Sequence, residues 1–548
     1  MLCVYVRRGL RRHIQEIRCG DLSWNSLFYW LLFFIHQDTY ALSFSLSLCR
    51  FSRYSVSPFS ALSRCGIKHP KPLPFFGNMF MFHQGVMETT FDLINKHGRV
   101  CGYYLGRMPV VVVADPDILR QVTIKEFSTF PNRQYVINHT KPVSDGLQLL
   151  RDEHWKRVRG ILTPSFSGAK CFNCFTMDVI ATVAYGIQLD SQSNPDDRFV
   201  HFAKKYFIAP AFNPLIRFVS PVAFPFLKVP LLSLFPNKSR AEMDSFFINC
   251  IQRIIKERDE QPPEQRRRDF LQLMLDARNS NECVSMDQFD MGNHANEVGH
   301  GNQQTDQSVS EQDCHQPQAS SAKSSQKRTI TDDEIVGQAL VFLLAGYETT
   351  SSTLAFTCYL LALHPECQRK VQDEVDQFYC RHESPDYFSV QELKYLDMVI
   401  SEALRLYSPG FRFARTIDKE CVVNGQLLPK GAYLEIAASY LHRDPEYWPE
   451  PEKFIPERFT PEAKANRHPC VYLPFGAGPR NCVGMRLAQL EMKMALVQLF
   501  RRFNVVTCSE TKVPLELTSA ALLGPKNGVI VKIARRDMGE GQRNPTTK

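Results

Sequence analysis

The sequence predicts a mainly α-helical protein with small β-sheets, an α+β chain that carries a membrane segment near its N-terminus. Three observations support this fold class. Residues 335–363 form a long helical pattern that is apolar nearly all round, as expected of a central buried helix. Helical and strand-like pieces alternate after it. Two apolar runs, 27–35 and 40–48, precede the globular part.

The composition excludes several functional classes. The chain has 548 residues, of which 44% are hydrophobic and 22% charged, so it can bury a large core and is neither disordered nor collagen-like. A net charge of +8 over this length gives a mildly basic surface, which is too weakly charged to indicate nucleic-acid binding. Such a surface is compatible with an anionic membrane or a small acidic ligand. The 17 cysteines are unevenly spaced, which argues against a disulfide-stapled scaffold.

Residues 1–60 form a basic stretch followed by a predicted membrane anchor. The two apolar runs together approach the roughly 20 residues that a bilayer requires. Asp38 lies between them, and a central Asp costs roughly 2.5–3.5 kcal/mol on insertion. A single-pass anchor is favoured, and a segment lying on the membrane surface is the alternative. Basic residues flank the apolar runs on both sides, so the positive-inside rule does not decide which way the anchor crosses the membrane.

Residues 61–78 are rich in proline, which stiffens the backbone, and predict a rigid connector. Residues 79–536 then form one predicted catalytic domain. Within it, residues 110–114 predict a short buried strand followed by a turn. Residues 199–236 are aromatic and proline-rich. They predict short amphipathic segments that touch a membrane or line an apolar entrance, and the alternative is ordinary core packing.

The segment 279–330 is rich in Asn, Gln, Ser and His, has few large apolar side chains, and predicts a flexible loop. Thr331 and Glu334 follow it with the spacing of a capping box, which predicts the start of the long apolar helix. Residues 537–548 predict a flexible tail.

The strongest chemical signal is a loop rich in glycine and proline that delivers Cys482 to a helix beginning near Val483. The positive end of that helix and its free N–H groups are expected to lower the pKa of the thiol. Because no Cys or His neighbours lie at zinc spacing, Cys482 suits an axial thiolate on haem iron rather than a structural zinc site. A buried cysteine after a turn is the alternative.

Residues 475–484 match the signature Phe-x-x-Gly-x-Arg-x-Cys-x-Gly at every defined position. On this motif the chain resembles the cytochrome P-450 superfamily of haem-thiolate enzymes. The resemblance implies a triangular helical body with a long central helix over the haem. It also implies haem b, iron protoporphyrin IX, as the cofactor, with Cys482 as the axial ligand of its iron. Four further segments most resemble the thromboxane-A synthases; they begin at Cys101, Arg266, Tyr395 and Leu523.

The resemblance implies roles for residues outside the cysteine loop. Glu402 and Arg405 match a Glu-x-x-Arg motif and, with Arg458, would form the structural ion network that holds the haem loop. In isolation such an i, i+3 pair is usually a solvated salt bridge. The implied cofactor-binding residues, which would shield the sulfur, lie against the macrocycle or bind its propionates, are Trp155, Arg159, Ala345, Gly346, Arg415, Phe475, Gly476, Arg480 and Gly484.

The implied activity is isomerisation of prostaglandin H2 to thromboxane A2, with a hydroxy-heptadecatrienoic acid and malondialdehyde as side products. That reaction uses ferric haem and the O–O bond of the substrate, without NADPH, oxygen or a reductase. The implied partners are the lipid endoperoxide and a membrane, with no nucleic acid. The implied state is a monomer in the endoplasmic reticulum membrane with a cytosolic catalytic domain.

Two departures from the resemblance leave other functions open. Thromboxane-A synthases typically carry an apolar residue where Thr349 stands, whereas Glu348 and Thr349 fit the acid–alcohol pair of a monooxygenase. An NADPH- and O2-dependent monooxygenase of lipids or xenobiotics, which needs a reductase, is therefore the second hypothesis. Residues 170–175 mark the apparent deletion of a helix-bearing stretch, so an inactive splice-like variant is the third.

Overall fold

The computed structural model describes residues 50–133, 141–162, 201–202, 205, 238–267, 269–279, 330–519 and 522–536. The predicted anchor, the junction at 170–175, the tail, and most of the segments 199–236 and 279–330 lie outside the described residues. The chain divides into two compact units, 1–58 and 59–548. In the first unit, residues 50–56 are helical. Within the ranges described, no helix is both long and apolar enough to cross a membrane.

Helices dominate the second unit and its strands are short, so the predicted mainly α class with small sheets is confirmed. The α-helices of the described part are α1 (Ala61–Arg64), α2 (Val86–His97), α3 (Pro116–Arg120), α4 (Asp152–Leu162), α5 (Lys238–Glu260), α6 (Phe270–Asn279), α7 (Asp332–Leu363), α8 (Pro365–Arg381), α9 (Lys394–Leu406), α10 (Ala438–Leu441), α11 (Pro461–Ala465) and α12 (Met485–Arg502).

The strands form one four-stranded sheet and three two-stranded sheets in this part of the chain. The larger sheet has the order β1-β2-β6-β3, with β2 and β6 parallel and the outer pairs antiparallel. The small sheets pair β4 with β5, β7 with β10, and β8 with β9. The strands are β1 (Val100–Leu105), β2 (Met108–Val113), β3 (Phe413–Thr416), β4 (Cys421–Val423), β5 (Gln426–Leu428), β6 (Tyr433–Ile436), β7 (Phe503–Val506), β8 (Leu517–Ser519), β9 (Leu523–Pro525) and β10 (Lys532–Arg535).

The buried strand predicted at 110–114 is β2, which occupies an inner position of the larger sheet. Its four consecutive valines are fully or almost fully buried, and β-branched side chains suit such a position. The turn predicted after it begins helix α3, where Asp115 accepts a hydrogen bond from Ile118 N at 2.9 Å as an N-cap.

Helix α7 begins with the capping box that the sequence predicts. The Thr331 hydroxyl accepts a hydrogen bond from Glu334 N at 3.2 Å, and the Glu334 carboxylate accepts one from Thr331 N at 2.9 Å. The helix ends at Leu363 because Pro365 disfavours the helical conformation in the residue before it. It packs against α5, α6, α8, α9 and α12, which accounts for apolar residues on all its sides.

One glycine of α7 lies against the chain at residues 142–146. A Cβ atom on Gly337 would lie 2.5 Å from Pro142 O and 3.0 Å from Gly146 N. Both are backbone atoms, which cannot rotate away as a side chain could. The close approach of the two segments therefore requires glycine at this position.

We expect Gly337→Ala to destabilise the protein, although alanine normally favours a helix interior. The added methyl group would force backbone displacement at a cost of about 1–3 kcal/mol. Urea unfolding followed by tryptophan fluorescence measures this change. Ser351→Ala, at a half-buried position of the same helix, is the control and should change the free energy of unfolding by less than about 0.5 kcal/mol. A stabilising effect of Gly337→Ala would contradict the packing described here.

Candidate active site around Cys482

Cys482 lies at the end of a loop whose backbone closes on itself. Its N–H donates to the Phe475 carbonyl at 2.8 Å. Gly476 and Gly478 have φ angles of 75° and 71°, in the left-handed region that favours glycine. A Cβ atom on Gly478 would lie 1.9 Å from Thr123 O, so this part of the loop can approach its neighbour only with glycine there.

The helix after the loop begins slightly later than the sequence predicts. Gly484 is the N-cap of α12, whose first residue is Met485. The Gly484 N–H donates a hydrogen bond to the Cys482 sulfur. The cysteine is thus held at the amino end of α12, where N–H groups without intrahelical partners face it.

The pKa of Cys482 differs from the sequence expectation. Burial among protein atoms raises it, and this effect outweighs the Gly484 N–H and the charges of Arg159 and Arg133, which lower it. The expected lowering by the helix terminus is therefore present but is not the largest effect. Although protein atoms surround the cysteine, its side chain is exposed. The fold therefore surrounds the sulfur but does not cover it completely.

Three predicted cofactor-binding residues lie beside the cysteine loop. Arg159 donates to Asn481 O at 3.1 Å and to Asn481 Oδ1 at 2.9 Å, and burial lowers its pKa to about 10. The Arg480 guanidinium lies 3.9 Å from the centroid of the Trp155 ring. All three side chains are buried, so two cations are concentrated next to the cysteine in a desolvated environment.

Arg480 also connects the loop to the segment 145–150. It donates to Leu150 O at 2.9 Å and lies 3.4 Å from Leu147 O. The same segment is also bound by Gln338 of α7, whose Oε1 accepts from Leu147 N at 2.6 Å and whose amide donates to Asp145 O. The central helix and the cysteine loop therefore hold one common segment.

Glu402 and Arg405 on α9 form an ion pair with no exposure to solvent, so the solvated alternative does not describe this pair. Arg405 Nε donates to Glu402 Oε2 at 2.7 Å, and Arg405 Nη2 donates to Glu402 Oε1 at 2.9 Å. Glu402 Oε1 also accepts from Ile455 N at 2.9 Å. Arg458 lies beside them, with its Nε 3.4 Å from Glu402 Oε1.

A chain of hydrogen bonds joins this ion pair to the cysteine loop. Arg405 Nη1 donates to His442 O at 2.8 Å, and His442 Nε2 accepts from Leu473 N at 2.8 Å. Tyr472 adds a second connection, since its hydroxyl donates to Ser401 O on α9 at 2.9 Å. The residues at which the loop begins are thus bound to the helix that carries the ion pair.

The predicted residues of α7 form a half-buried stretch within a helix that is otherwise mostly buried. Ala345, Gly346, Glu348 and Thr349 are all partly exposed. The Thr349 hydroxyl donates to Ala345 O at 2.7 Å. Burial raises the pKa of Glu348, whose Oε1 lies 4.0 Å from the Cβ position of Gly524 on β9. The Glu348 carboxyl group therefore faces the β8–β9 hairpin.

The structure places Arg415 on β3 of the larger sheet, where it is 2% exposed and donates to Ala414 O at 3.1 Å. The sequence analysis missed Arg133, whose Nη2 donates to Arg480 O at 2.6 Å and whose charge lowers the pKa of Cys482. Arg133 stands in no motif, and only its contact with the distant cysteine loop identifies it.

The donor set suits a planar cofactor with an iron centre and anionic substituents. Cys482 offers one sulfur that is not covered by other side chains, and Ala345 and Gly346 offer a helix surface with small or no side chains. The guanidinium groups of Arg133 and Arg159 can compensate carboxylates. The described residues contain no group of three or more His, Cys, Asp or Glu side chains that could hold a metal ion. These residues fit haem.

Comparisons with known proteins agree with this site. A family model described as cytochrome P450 matches residues 67–170, 165–301 and 301–533. The thromboxane-A synthase of Mus musculus is 44% identical over 518 residues, which cover 88% of this chain and 94% of the relative. That of Macaca fascicularis is 43% identical over 532 residues, 91% and 97% of the two chains. Cytochrome P450 3A13 of Mus musculus is 35% identical over 522 residues, 88% and 94%.

We expect Glu402→Gln to lower the free energy of unfolding by about 3–5 kcal/mol, because it leaves the Arg405 charge buried without a counterion. Urea unfolding followed by tryptophan fluorescence measures the change. Glu257→Gln is the matched control: its partner Arg253 is 82% exposed, and the loss of such a surface pair should cost less than about 1 kcal/mol. Equal losses in the two variants would show that the buried pair has no special importance.

Proposed function

The chain belongs to the cytochrome P450 family of haem-thiolate enzymes, and from this membership we propose that it isomerises prostaglandin H2 to thromboxane A2. The observation that carries the proposal is the identity with thromboxane-A synthases, which is clearly higher than the identity with cytochrome P450 3A13. A hydroxy-heptadecatrienoic acid and malondialdehyde would form as side products. Such a reaction rearranges the atoms of one substrate and consumes no NADPH or oxygen.

In this proposal Cys482 would supply the thiolate that binds the haem iron. When bound, thiolate-ligated haem supplies the electron density that favours cleavage of an O–O bond. Phe475 would shield the sulfur from water, and the glycines at 476 and 484 would let the loop lie close to the macrocycle. The propionates would be bound by the cations and donors around the loop and sheet, namely Arg133, Trp155, Arg159, Arg415 and Arg480.

The residues of α7 would close the other side of the reaction space. Ala345 and Gly346 would leave room for the macrocycle and the endoperoxide, because neither has a large side chain. The Glu402–Arg405–Arg458 network would keep the loop in place and would not touch the substrate. We further propose a monomer at the endoplasmic reticulum membrane, which suits a lipid substrate of low solubility in water.

The purified haem-loaded protein should convert prostaglandin H2 to thromboxane A2 in buffer without NADPH, oxygen or reductase. Product analysis by mass spectrometry checks this expectation, with detection of malondialdehyde as a second readout. Cys482→Ser should abolish the conversion, since it removes the proposed iron ligand. Cys508→Ser, a cysteine far along the chain from the loop, should retain it. Conversion that depends on reductase and NADPH would overturn the proposal.

A lipid or xenobiotic monooxygenase is the second candidate, and one observation favours it. Glu348 and Thr349 are both present on α7, and the Thr349 hydroxyl, while donating to Ala345 O, keeps its oxygen lone pairs for a proton donor. A cleft of about 470 Å³ beside the loop is lined by three lysines and one aspartate: Lys394, Lys464, Lys493 and Asp397, which pairs with Lys493 at 3.0 Å. A basic cleft would suit an acidic reductase, which this candidate requires.

Thr349→Ala separates the two candidates. For the proposed isomerase we expect turnover of prostaglandin H2 within about two-fold of the unchanged protein, because this reaction transfers no proton through the hydroxyl. In a reaction that does transfer a proton, general acid–base catalysis by this hydroxyl would raise the rate roughly 100-fold or more. Thr353→Ala is the matched control, since Thr353 makes the same kind of bond to a carbonyl one turn later at 2.8 Å. A selective loss of NADPH-dependent product in Thr349→Ala would favour the monooxygenase.

A further inference from the structure

A single imidazole nitrogen links the buried ion pair of α9 to the start of the cysteine loop. His442 is fully buried, and its Nε2 accepts a hydrogen bond from Leu473 N at 2.8 Å. Leu473 is only 3% exposed, so its N–H depends on an acceptor within the protein. The His442 carbonyl accepts from Arg405 Nη1 at 2.8 Å. His442 therefore connects α9 to the loop through both its backbone and its side chain.

The hydrogen bond from Leu473 determines which nitrogen of the His442 ring carries a proton. A backbone N–H can only donate, so Nε2 must be unprotonated in order to accept. The proton of the neutral ring is therefore on Nδ1, which has no hydrogen-bond partner of normal geometry in the described part of the chain. A second proton, on Nε2, would remove the acceptor and bring two donors against each other.

The surroundings of the ring oppose a second proton. The charged groups that act on it are Arg405 of α9 and the adjacent Arg443, and the loop contributes the Tyr472 ring, whose centroid lies 5.4 Å from that of the imidazole. Burial, followed by the charges of the two arginines, lowers the pKa of His442 to about 3, and only a backbone interaction with Arg405 opposes this shift. While the loop is in place, His442 is therefore a neutral acceptor near neutral pH.

Two other histidines bond to the backbone in a different way. His364, at the end of α7, donates from Nδ1 to Leu360 O at 2.8 Å, so a second proton on its ring would leave this bond intact. His468 accepts from Cys470 N at 3.1 Å, but the two residues belong to the same turn. His442, by contrast, accepts from a residue 31 positions away, so the protonation state of its ring affects the contact between two distant segments.

We propose that His442 is a positioning residue of the cysteine loop, whose unprotonated Nε2 holds Leu473 and, nine residues further on, the Cys482 sulfur in place. The inference rests on the proposed function only for the role of Cys482 as a haem ligand. The charges of Glu402 and Arg405 are permanent near neutral pH, whereas this contact exists in only one protonation state of one ring. Uptake of a proton by the imidazole therefore opens the start of the loop.

The test measures local opening instead of turnover. Amide hydrogen exchange of the haem-loaded protein is followed by mass spectrometry on peptides that cover residues 473–482. His442→Phe keeps an aromatic ring but offers no acceptor to the buried Leu473 N–H, so the opening constant of these peptides should rise about ten-fold or more. His442→Gln can place an amide oxygen near the position of Nε2, and at pH 7.5 its opening constant should stay within about three-fold of that of the unchanged protein.

The pH dependence separates this role from ordinary packing. The pKa of the imidazole is about 3 in the closed loop and returns to its usual value of 6.5 when the loop opens, so the contact is stable above pH 6.5 and is weakened as the pH falls below it. Between pH 7.5 and 5.5 the opening constant of the unchanged protein, corrected for the intrinsic exchange rate, should rise about ten-fold. In His442→Gln no group titrates at this position, so the constant should change less than about two-fold.

His364→Phe is the matched control, because it removes a half-buried histidine that bonds to the backbone outside the loop. Exchange of residues 473–482 should be the same in this variant as in the unchanged protein. Unaltered loop exchange in His442→Phe would overturn the inference, and so would an equal pH dependence in the unchanged protein and His442→Gln. If His442→Phe does not fold, the pH comparison with His442→Gln decides alone.

The outcomes for the inference and for the proposed function can be told apart. Faster loop exchange in His442→Phe, together with absent conversion of prostaglandin H2 by the unchanged protein, would reject the isomerase and retain the positioning role. Conversion of prostaglandin H2 by the unchanged protein, with loop exchange that responds neither to His442→Phe nor to pH, would retain the isomerase and reject the positioning role.

Discussion

A carboxylate and a guanidinium without contact to solvent determine where the cysteine loop begins. Burying the charges of Glu402 and Arg405 carries a large desolvation cost, which is offset only when each polar atom finds a partner. The backbone around them supplies these partners, and one of them, the His442 carbonyl, belongs to a residue that also binds Leu473. Because the buried charges require these hydrogen bonds, the network fixes the loop at Leu473, nine residues before Cys482. The network serves to position the loop more than to stabilise the fold.

The loop also depends on steric constraints on its other side. Gly478 approaches the chain at Thr123 too closely for any side chain, and the buried Arg480 lies flat on Trp155 of α4. Three kinds of interaction therefore converge on some ten residues: ion pairing, backbone contact and a cation over an aromatic ring. Together these interactions hold the backbone on both sides of Cys482, the residue that would supply a thiolate to the haem iron in the proposed function.

The features that sequence could predict are those encoded by neighbouring residues. The capping box at Thr331, the apolar helix that follows it, the valine strand and the cysteine loop are all local patterns, and the structure contains each of them. The hydrogen bonds that Arg412 and Tyr103 donate to Glu435 could not be predicted, because strands distant in the chain bring these residues together through their register. The pKa of Cys482 was predicted in the wrong direction for a related reason. The helix terminus is a local feature, whereas the burial that outweighs it comes from the whole fold.

The segment 145–150 has a particular place in this arrangement, since Gln338 of the central helix holds it on one side and Arg480 of the cysteine loop on the other. The central helix and the cysteine loop, which would lie on either side of the haem in the proposed function, thus share hydrogen bonds with one short stretch of backbone. A change in the conformation of this stretch would therefore change the distance between them. Substitutions at 145–150 could thus alter the room for a ligand while every residue of the helix and of the loop stays the same.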